Sequence, residues 1–397
     1  MRVLLWFHRD LRTHDHEGLS WALGEGCHVT GVCVAPAAAG EAKRRFWQEC
    51  AAELSRNLAT AGVELRVCEG PASEAIAQLA RDTGAELLLT HRRTNQRDEQ
   101  ELEALLRRAP LECKLLGEPT LYALSNAHGI TLDDLKPFSK FKAIASKYWT
   151  PASPQRRHPK LRFEARPPAQ WFTGGEAAGL ARVHDYLRGS KRVHSYHETR
   201  NGMLERDDSS KFSPWLAWGA LSVRQVYQEL LQTEQEQGPS EGIDALIYEL
   251  VWRDYFKFLA LFTRDKLFSQ QGLRTKPRSF AFDQGAFRRW CAGDTGEEFV
   301  DANMRELAAT GWMSNRGRQN VASYLAKTLG LDWVSGARYF EAQLVDDDTE
   351  NNWGNWQYLA GVGTDPRDRV FNPKLQAERY DQAGAYRARW LKKDPRA

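Results

Sequence analysis

The hydrophobic period of this chain changes along its length, and that change restricts the folds open to it. From residue 1 to about 116, short apolar runs rich in β-formers at 3–7, 29–35, 64–67 and 87–90 alternate with helical patterns at 41–61 and 72–83. Such alternation predicts a parallel α/β sheet with helices on both faces, Rossmann-like in character. From 190 onward only helical periodicity remains, at 223–235, 242–262, 286–291, 299–309 and 315–328, with 177–188 just ahead of it. Between the two regimes Pro137, Pro151, Pro154, Pro159, Pro167 and Pro168 are expected to exclude long regular elements. The predicted organisation is therefore an α/β domain over 1–116, a surface connector over 117–189 and an all-α domain over 190–397. A chain of 397 residues is long enough for each domain to bury its own core.

Composition narrows the function classes. No apolar run approaches the ~20 residues of a membrane span, and the first residues enter a strand pattern directly. Six cysteines, at 27, 33, 50, 68, 113 and 291, show no CxxC or metal spacing and read as reduced thiols. A soluble, cytoplasmic protein without a membrane partner is expected, and a monomer is the simplest assembly. There is no GxGxxG or Walker A run, so no motif supports a dinucleotide or NTP site in the α/β region. The net charge of +3 leaves room for a local basic patch that binds nucleic acid.

Fourteen tryptophans are several times the share expected of an ordinary globular chain, and four of them fall between 312 and 361. In a helical reading Trp312, Asn315, Arg316 and Gln319 share a face, so an indole, an amide and a cation project into one space. Asp348 and Asn352, four apart, and Trp353 and Trp356, three apart, allow a second helix to present acid, amide and indole to the same flat, polar-edged ring. Taken singly, each tryptophan is better explained by a core than by a cofactor contact. The run DDDTE over 346–350 also invites a magnesium reading, as in helical prenyl-transferring enzymes, but no second acidic motif completes it. A calcium loop fails because Asn351 and Gln357 stand where Gly and Glu are needed. Farther upstream, Glu249, Trp252, Arg253 and Phe256 lie at i, i+3, i+4 and i+7, one face carrying an acid and a cation that need partners. Ser209, Ser210, Lys211, Phe212 and Ser213 precede a helix-like run, a pattern that suits a helix cap or a pyrophosphate.

The segments TGWMSNRGRQNVASYL, LDWVSGARYFEAQLVDDDTENNWGNWQYLAGVGTDPR and FNPKLQAERYD resemble the photolyase/cryptochrome family. VDANMREL, SNRGRQ and NWGNWQY are similar to its DASH-type cryptochromes, and WFHRDLRTHD near the start adds an independent match. The likeness covers nearly all of 190–390. It implies that the all-α domain binds FAD, with residues 209–213 and Tyr196 at the diphosphate, and Arg253 and Trp312 at the flavin. It further implies an Arg318–Asp346 ion pair over the flavin ring, Asp348 at the ring edge and Asn352 facing N5. By the same likeness Glu249 and Trp252 line a pocket for a pyrimidine dimer, Asn315 lies near both lesion and flavin, Arg316 near a lesion phosphate and Tyr358 against the lesion bases. Trp356 and Trp333 match the proximal and middle members of the family's photoreducing tryptophan chain. The outermost position is Phe280, which is far harder to oxidise, so another aromatic such as Trp290 is a candidate substitute.

The function so implied is blue-light-driven repair of cyclobutane pyrimidine dimers in DNA, single-stranded DNA first, by excited reduced FAD. Glu249, Asn315, Asn352, Trp356 and Trp333 are the expected catalytic and electron-transfer residues. The α/β domain is expected either to hold an antenna chromophore, a folate or a deazaflavin, or to be purely structural. The sequence stops at WLKKDPRA soon after the last family segment; with no signalling tail expected, repair is favoured over tail-mediated signalling. The alternatives are a flavin photoreceptor that binds nucleic acid or a partner without repair, and, more remotely, a magnesium-dependent transferase using Asp346, Asp347 and Glu350.

Overall fold

A computed structural model describes residues 1–163, 172–274, 278–365 and 367–392, so Pro167 and Pro168 lie outside the described residues. Five parallel strands, β1 (Arg2–Trp6), β2 (His28–Val34), β3 (Glu64–Cys68), β4 (Leu87–Thr90) and β5 (Glu112–Leu115), pair in the order β3-β2-β1-β4-β5. The register places Val3 beside Val29 on one side and Leu87 on the other. Successive side chains of β1 alternate between faces. Val3, Leu5 and the following Phe7 enter one core with Phe46, Trp47 and Leu54 of the Glu41–Ala59 helix. Leu4 and Trp6 enter another with Ile76 and Ala80 of the Ala72–Thr83 helix. The sequence pattern did not single out β5 or the Glu17–Gly24 and Gln96–Arg108 helices, the last of which buries only Leu102 and Leu105.

One expectation is corrected. The 117–189 segment contains an 11-residue helix, Phe138–Tyr148. Pro137 does not prevent it because it occupies the N-cap, where a missing N–H breaks no intrahelical bond. The α/β region buries the core around Leu4 and Trp6 on its own, whereas on the other sheet face Val3 and Leu5, Leu121, Leu135 and Phe141 from the middle segment, and Trp215, Leu250 and Phe258 from the helical part form one continuous cluster. A separate cluster, with Trp290, Trp333, Trp353 and Trp356, belongs to the helical part alone.

The helices that frame the site start at side-chain caps. Ser240 accepts from Ile243 N–H ahead of Glu241–Thr263, Ser314 from Gly317 N–H ahead of Asn315–Ser323, and Asp348 from Asn351 N–H ahead of Thr349–Ala360. Thr349–Ala360 is held closely on two sides. A Cβ at Gly354 would run into the Phe256 ring and one at Gly336, on the Trp333–Gln343 helix, into the Trp356 indole, so glycine at both positions brings Thr349–Ala360 close to Glu241–Thr263 and to Trp333–Gln343. Among the described residues no helix is long and apolar enough to cross a membrane.

Candidate active site

A cavity of about 320 Å³ lies among the helices Glu241–Thr263, Asn315–Ser323 and Thr349–Ala360 and the segment 209–213. Tyr196, all five residues of 209–213, Glu249, Arg253, Trp312, Asn315, Arg318, Asp346, Asp348, Asn352 and Trp356 line it. Its volume is in the range of small-molecule sites. Leu250, Phe340 and Leu359 supply apolar wall between these polar groups.

Burial concentrates charge at the floor. Arg318 donates to both carboxylate oxygens of Asp346, at 2.9 and 2.8 Å, and Ser213 Oγ donates to the same carboxylate at 2.6 Å. Asp348 caps Thr349–Ala360 and also faces Lys257 Nζ at 3.1 Å and Arg253 Nε at 3.5 Å. Burial alone would raise this carboxyl, but Lys257 and Arg253 hold it well below the usual carboxylate range. Arg253 also donates to the Pro119 and Leu216 carbonyls, so both its charge and its geometry are fixed.

The 209–213 segment is shaped from behind. The buried Arg182 donates Nε to Ser210 O at 2.9 Å and Nη2 to Ser209 O at 3.2 Å. Lys211 adopts φ 57°, unusual for a residue with a side chain, and its ammonium sits 3.6 Å above the Trp312 ring. Burial lowers this amine to about 8, with Glu306 opposing the shift. Arg200 and Glu249, both in the lining, form an ion pair.

Several residues stand elsewhere than the spacing suggested. Trp312 precedes the helix that begins at Asn315, so it reaches the cavity from a turn rather than from a shared helical face. Arg316 lies outside the cavity lining, donating to Asn201 Oδ1 at 2.9 Å and Gln319 Oε1 at 2.8 Å. Tyr358 is also outside it, half-buried near Asp365 and Arg369. Trp252 leaves the lining because Phe138 stacks on its ring at 3.5 Å and 7°. Trp333 is fully buried behind Trp353, edge to face at 5.8 Å.

Sequence reasoning missed Arg200, Lys257, Arg182 and Phe138. One of them carried a signal: Lys257 is four residues after Arg253, on the face already singled out, whereas Arg200 ends the short Tyr196–Thr199 helix. The other three meet the site only through tertiary packing.

The acidic run does not converge on a point. Asp346 goes to Arg318, Asp347 to Lys43 at 3.0 Å, and Asp348 and Glu350 to Lys257. Four carboxylates already matched by cations do not form the convergent oxygen set that the transferase reading requires. The crevice at the sheet's switch point lies between β1 and β4. Asp10, His16 and His91 fill that crevice, with Asp10 Oδ2 at 3.0 Å from His16 and 3.2 Å from His91, and leave about 20 Å³, room for one water.

Fold and cavity together define a protein built to hold a large, polar-edged ring cofactor between helices. Residues 246–394 match the FAD binding domain of DNA photolyase, and residues 3–160 match DNA photolyase. A cryptochrome DASH of Synechocystis sp. is 40% identical, over 98% of this chain and 87% of that protein. The crystal structure of Synechocystis sp. PCC6803 cryptochrome superposes with TM-score 0.90 at 39% identity, covering 98% of this chain and 88% of that one. A bacterial class III photolyase from Agrobacterium tumefaciens gives TM-score 0.82 at 27% identity, covering 98% and 86%. The chain belongs to the photolyase/cryptochrome family, in its cryptochrome DASH group, and its cofactor is FAD.

Proposed function

We propose that this chain is a light-driven lyase for cyclobutane pyrimidine dimers in single-stranded DNA, with FAD in the cavity and the lesion entering beside Glu249. The observation that carries this reading is that one cavity is lined by both the Arg318–Asp346 pair and the Arg200–Glu249 pair, which suits a flavin ring and a lesion base held in the same space. Bound, reduced FAD supplies the photoexcited electron that opens the cyclobutane and is then regained.

The chain's own groups bind, orient and exclude water. Lys211 and the hydroxyls of Ser209 and Ser210 suit a diphosphate. Arg318 and Arg253 place positive charge around an anionic ring in a low-dielectric pocket, and Asn315 and Asn352 offer amide donors and acceptors to its edge. Glu249 accepts from a pyrimidine imide N–H, and Arg200, which fixes that carboxylate, adds a cation within reach of negative charge developing on the lesion. Flipping a base into the cavity costs least where pairing is absent, which favours single strands.

The Phe138 stack on Trp252 favours a second reading, a flavin photoreceptor without repair, because it covers a ring that the resemblance assigns to the lesion. A single-stranded oligonucleotide carrying one thymine dimer, incubated with reduced protein in blue light and in the dark, separates the two. Light-dependent loss of the dimer supports the lyase. Binding without loss, from protein with a normal flavin spectrum, rejects it in favour of the photoreceptor.

A further inference from the structure

Phe280 leaves the usual outer tryptophan position without an oxidisable ring, yet Trp356 at the cavity wall is not isolated. Its ring neighbours among the described residues are Phe340, at 5.2 Å, and Trp290, at 6.2 Å between centroids. Trp290 in turn lies 5.7 Å from Tyr339. Trp290 is fully buried and its indole N–H is tied to Val321 O at 3.0 Å, so a charge arriving there has no solvent to release a proton to. Tyr339 is only half-buried, near the end of the Trp333–Gln343 helix, and its hydroxyl donates to Cys291 O at 3.2 Å.

We propose that Tyr339, reached through Trp290, is the terminal electron donor for light-driven reduction of the bound flavin. The inference rests on the reading of the cavity as the FAD site. Light-excited, oxidised FAD takes one electron from Trp356, Trp290 refills Trp356, and Tyr339 refills Trp290. The net change is one electron from Tyr339 to the flavin and one phenolic proton from Tyr339 to solvent water, leaving a neutral phenoxyl radical. Loss of that proton makes return of the electron slow, which is what an outlet must achieve. Burial pushes the resting Tyr339 phenol up to about 12, so it enters the sequence protonated. The route leaves Trp333 off the main path, since its ring neighbour is Trp353 and its indole N–H donates to Gln270 O.

The test is electron paramagnetic resonance and transient absorption on FAD-loaded protein carrying ring-deuterated tyrosine, with flavin content read from the visible spectrum before illumination. A phenoxyl signal that narrows on deuteration is expected in the unmodified chain. It should vanish in Tyr339→Phe and in Trp290→Phe, with the lifetime of separated charge shortened roughly tenfold or more, a barrier change of ~1.4 kcal/mol, and it should persist in Trp333→Phe. Tyr339→Phe removes one partly exposed hydroxyl, so it tests the route even where Trp290→Phe disturbs the core. Absence of FAD from the purified protein would overturn the cavity assignment and the route together. Normal FAD with a phenoxyl signal retained in Tyr339→Phe, or lost in Trp333→Phe alone, would overturn the route and leave the cavity assignment standing.

Discussion

Lys257→Met probes the charge balance under the cavity. The ammonium, 6% exposed, lies 3.1 Å from Asp348 and 2.9 Å from Glu350, so its removal leaves two buried carboxylates short of a cation. Breaking a buried pair from one side costs ~3–5 kcal/mol. Asp348 keeps Arg253 at 3.5 Å, and Glu350 keeps donors from Thr94 and Asn95, so a loss near ~3 kcal/mol is expected. The pH dependence follows from the depressed Asp348 carboxyl. Its stabilisation is present above the ordinary carboxylate value of ~3.9 and is lost only as pH falls through the lower folded value. Without Lys257 the folded value moves upward, so the variant takes up its proton at higher pH than the parent does. The deficit should therefore be full at neutral pH and shrink on acidification. Urea unfolding of both proteins at neutral and mildly acidic pH, followed by tryptophan fluorescence, measures it. A deficit below ~1 kcal/mol, or one that grows as pH falls, would refute the assignment. Asp348→Asn added to Lys257→Met should recover part of the loss.

Glu249→Ala is expected to retain FAD but to lower dimer loss per absorbed photon roughly a hundredfold, the scale of removing one group aimed at the reacting centre; unchanged repair would displace the lesion from Glu249. Gly336→Ala drives a methyl group into the Trp356 indole and should cost ~1–3 kcal/mol, visible as a lower urea midpoint and an altered tryptophan emission. Phe280→Trp should restore an oxidisable ring at the outer position as a second outlet. In a Tyr339→Phe background it is expected to restore photoreduction, measured as the rate at which the oxidised flavin band bleaches under blue light.

The parts of the site legible in the sequence are those whose geometry is local. Glu249 and Arg253 sit on one helix, and their spacing alone places them on one face, which Lys257 extends by one more turn. Asn315 likewise follows from helical periodicity over 315–328, whereas Arg318 rests on the family likeness. Trp312 shows the limit of that reasoning, because periodicity extended a helix backward through a cap that ends it. Phe138 shows a second limit. Nothing in its surroundings announces that a ring from the proline-rich middle segment will stack on Trp252, since that contact depends on the Phe138–Tyr148 helix crossing a surface 114 residues away in sequence. The parallel sheet was legible for a related reason: β1 and β4 are short, uninterrupted apolar runs, whereas β5, with Glu112 and Lys114 in four residues, hides its strand in charge.

The run at 346–350 makes the strongest case that one pattern can carry two chemistries. As a string it resembles metal ligands, which must converge; in the fold its carboxylates part company. Asp346 holds Arg318 inside the cavity. Asp347 reaches across to Lys43, and its carbonyl accepts from Arg9 at 2.7 Å. Glu350 accepts from Thr94 and from Asn95 at 2.8 Å. Three of the elements gripping this run therefore belong to the α/β region: the segment after β1, the Glu41–Ala59 helix and the loop after β4. The same run caps and orients Thr349–Ala360, the helix that carries Asn352 and Trp356 into the cavity. Whatever else the α/β region does, it fixes the cavity floor. The helical residues 190–397 expressed alone are thus expected to lose FAD, because Asp347 would lose both its cations and Glu350 two of its hydrogen-bond donors. Flavin retention equal to that of the full chain would show instead that the helical core alone holds the floor in place.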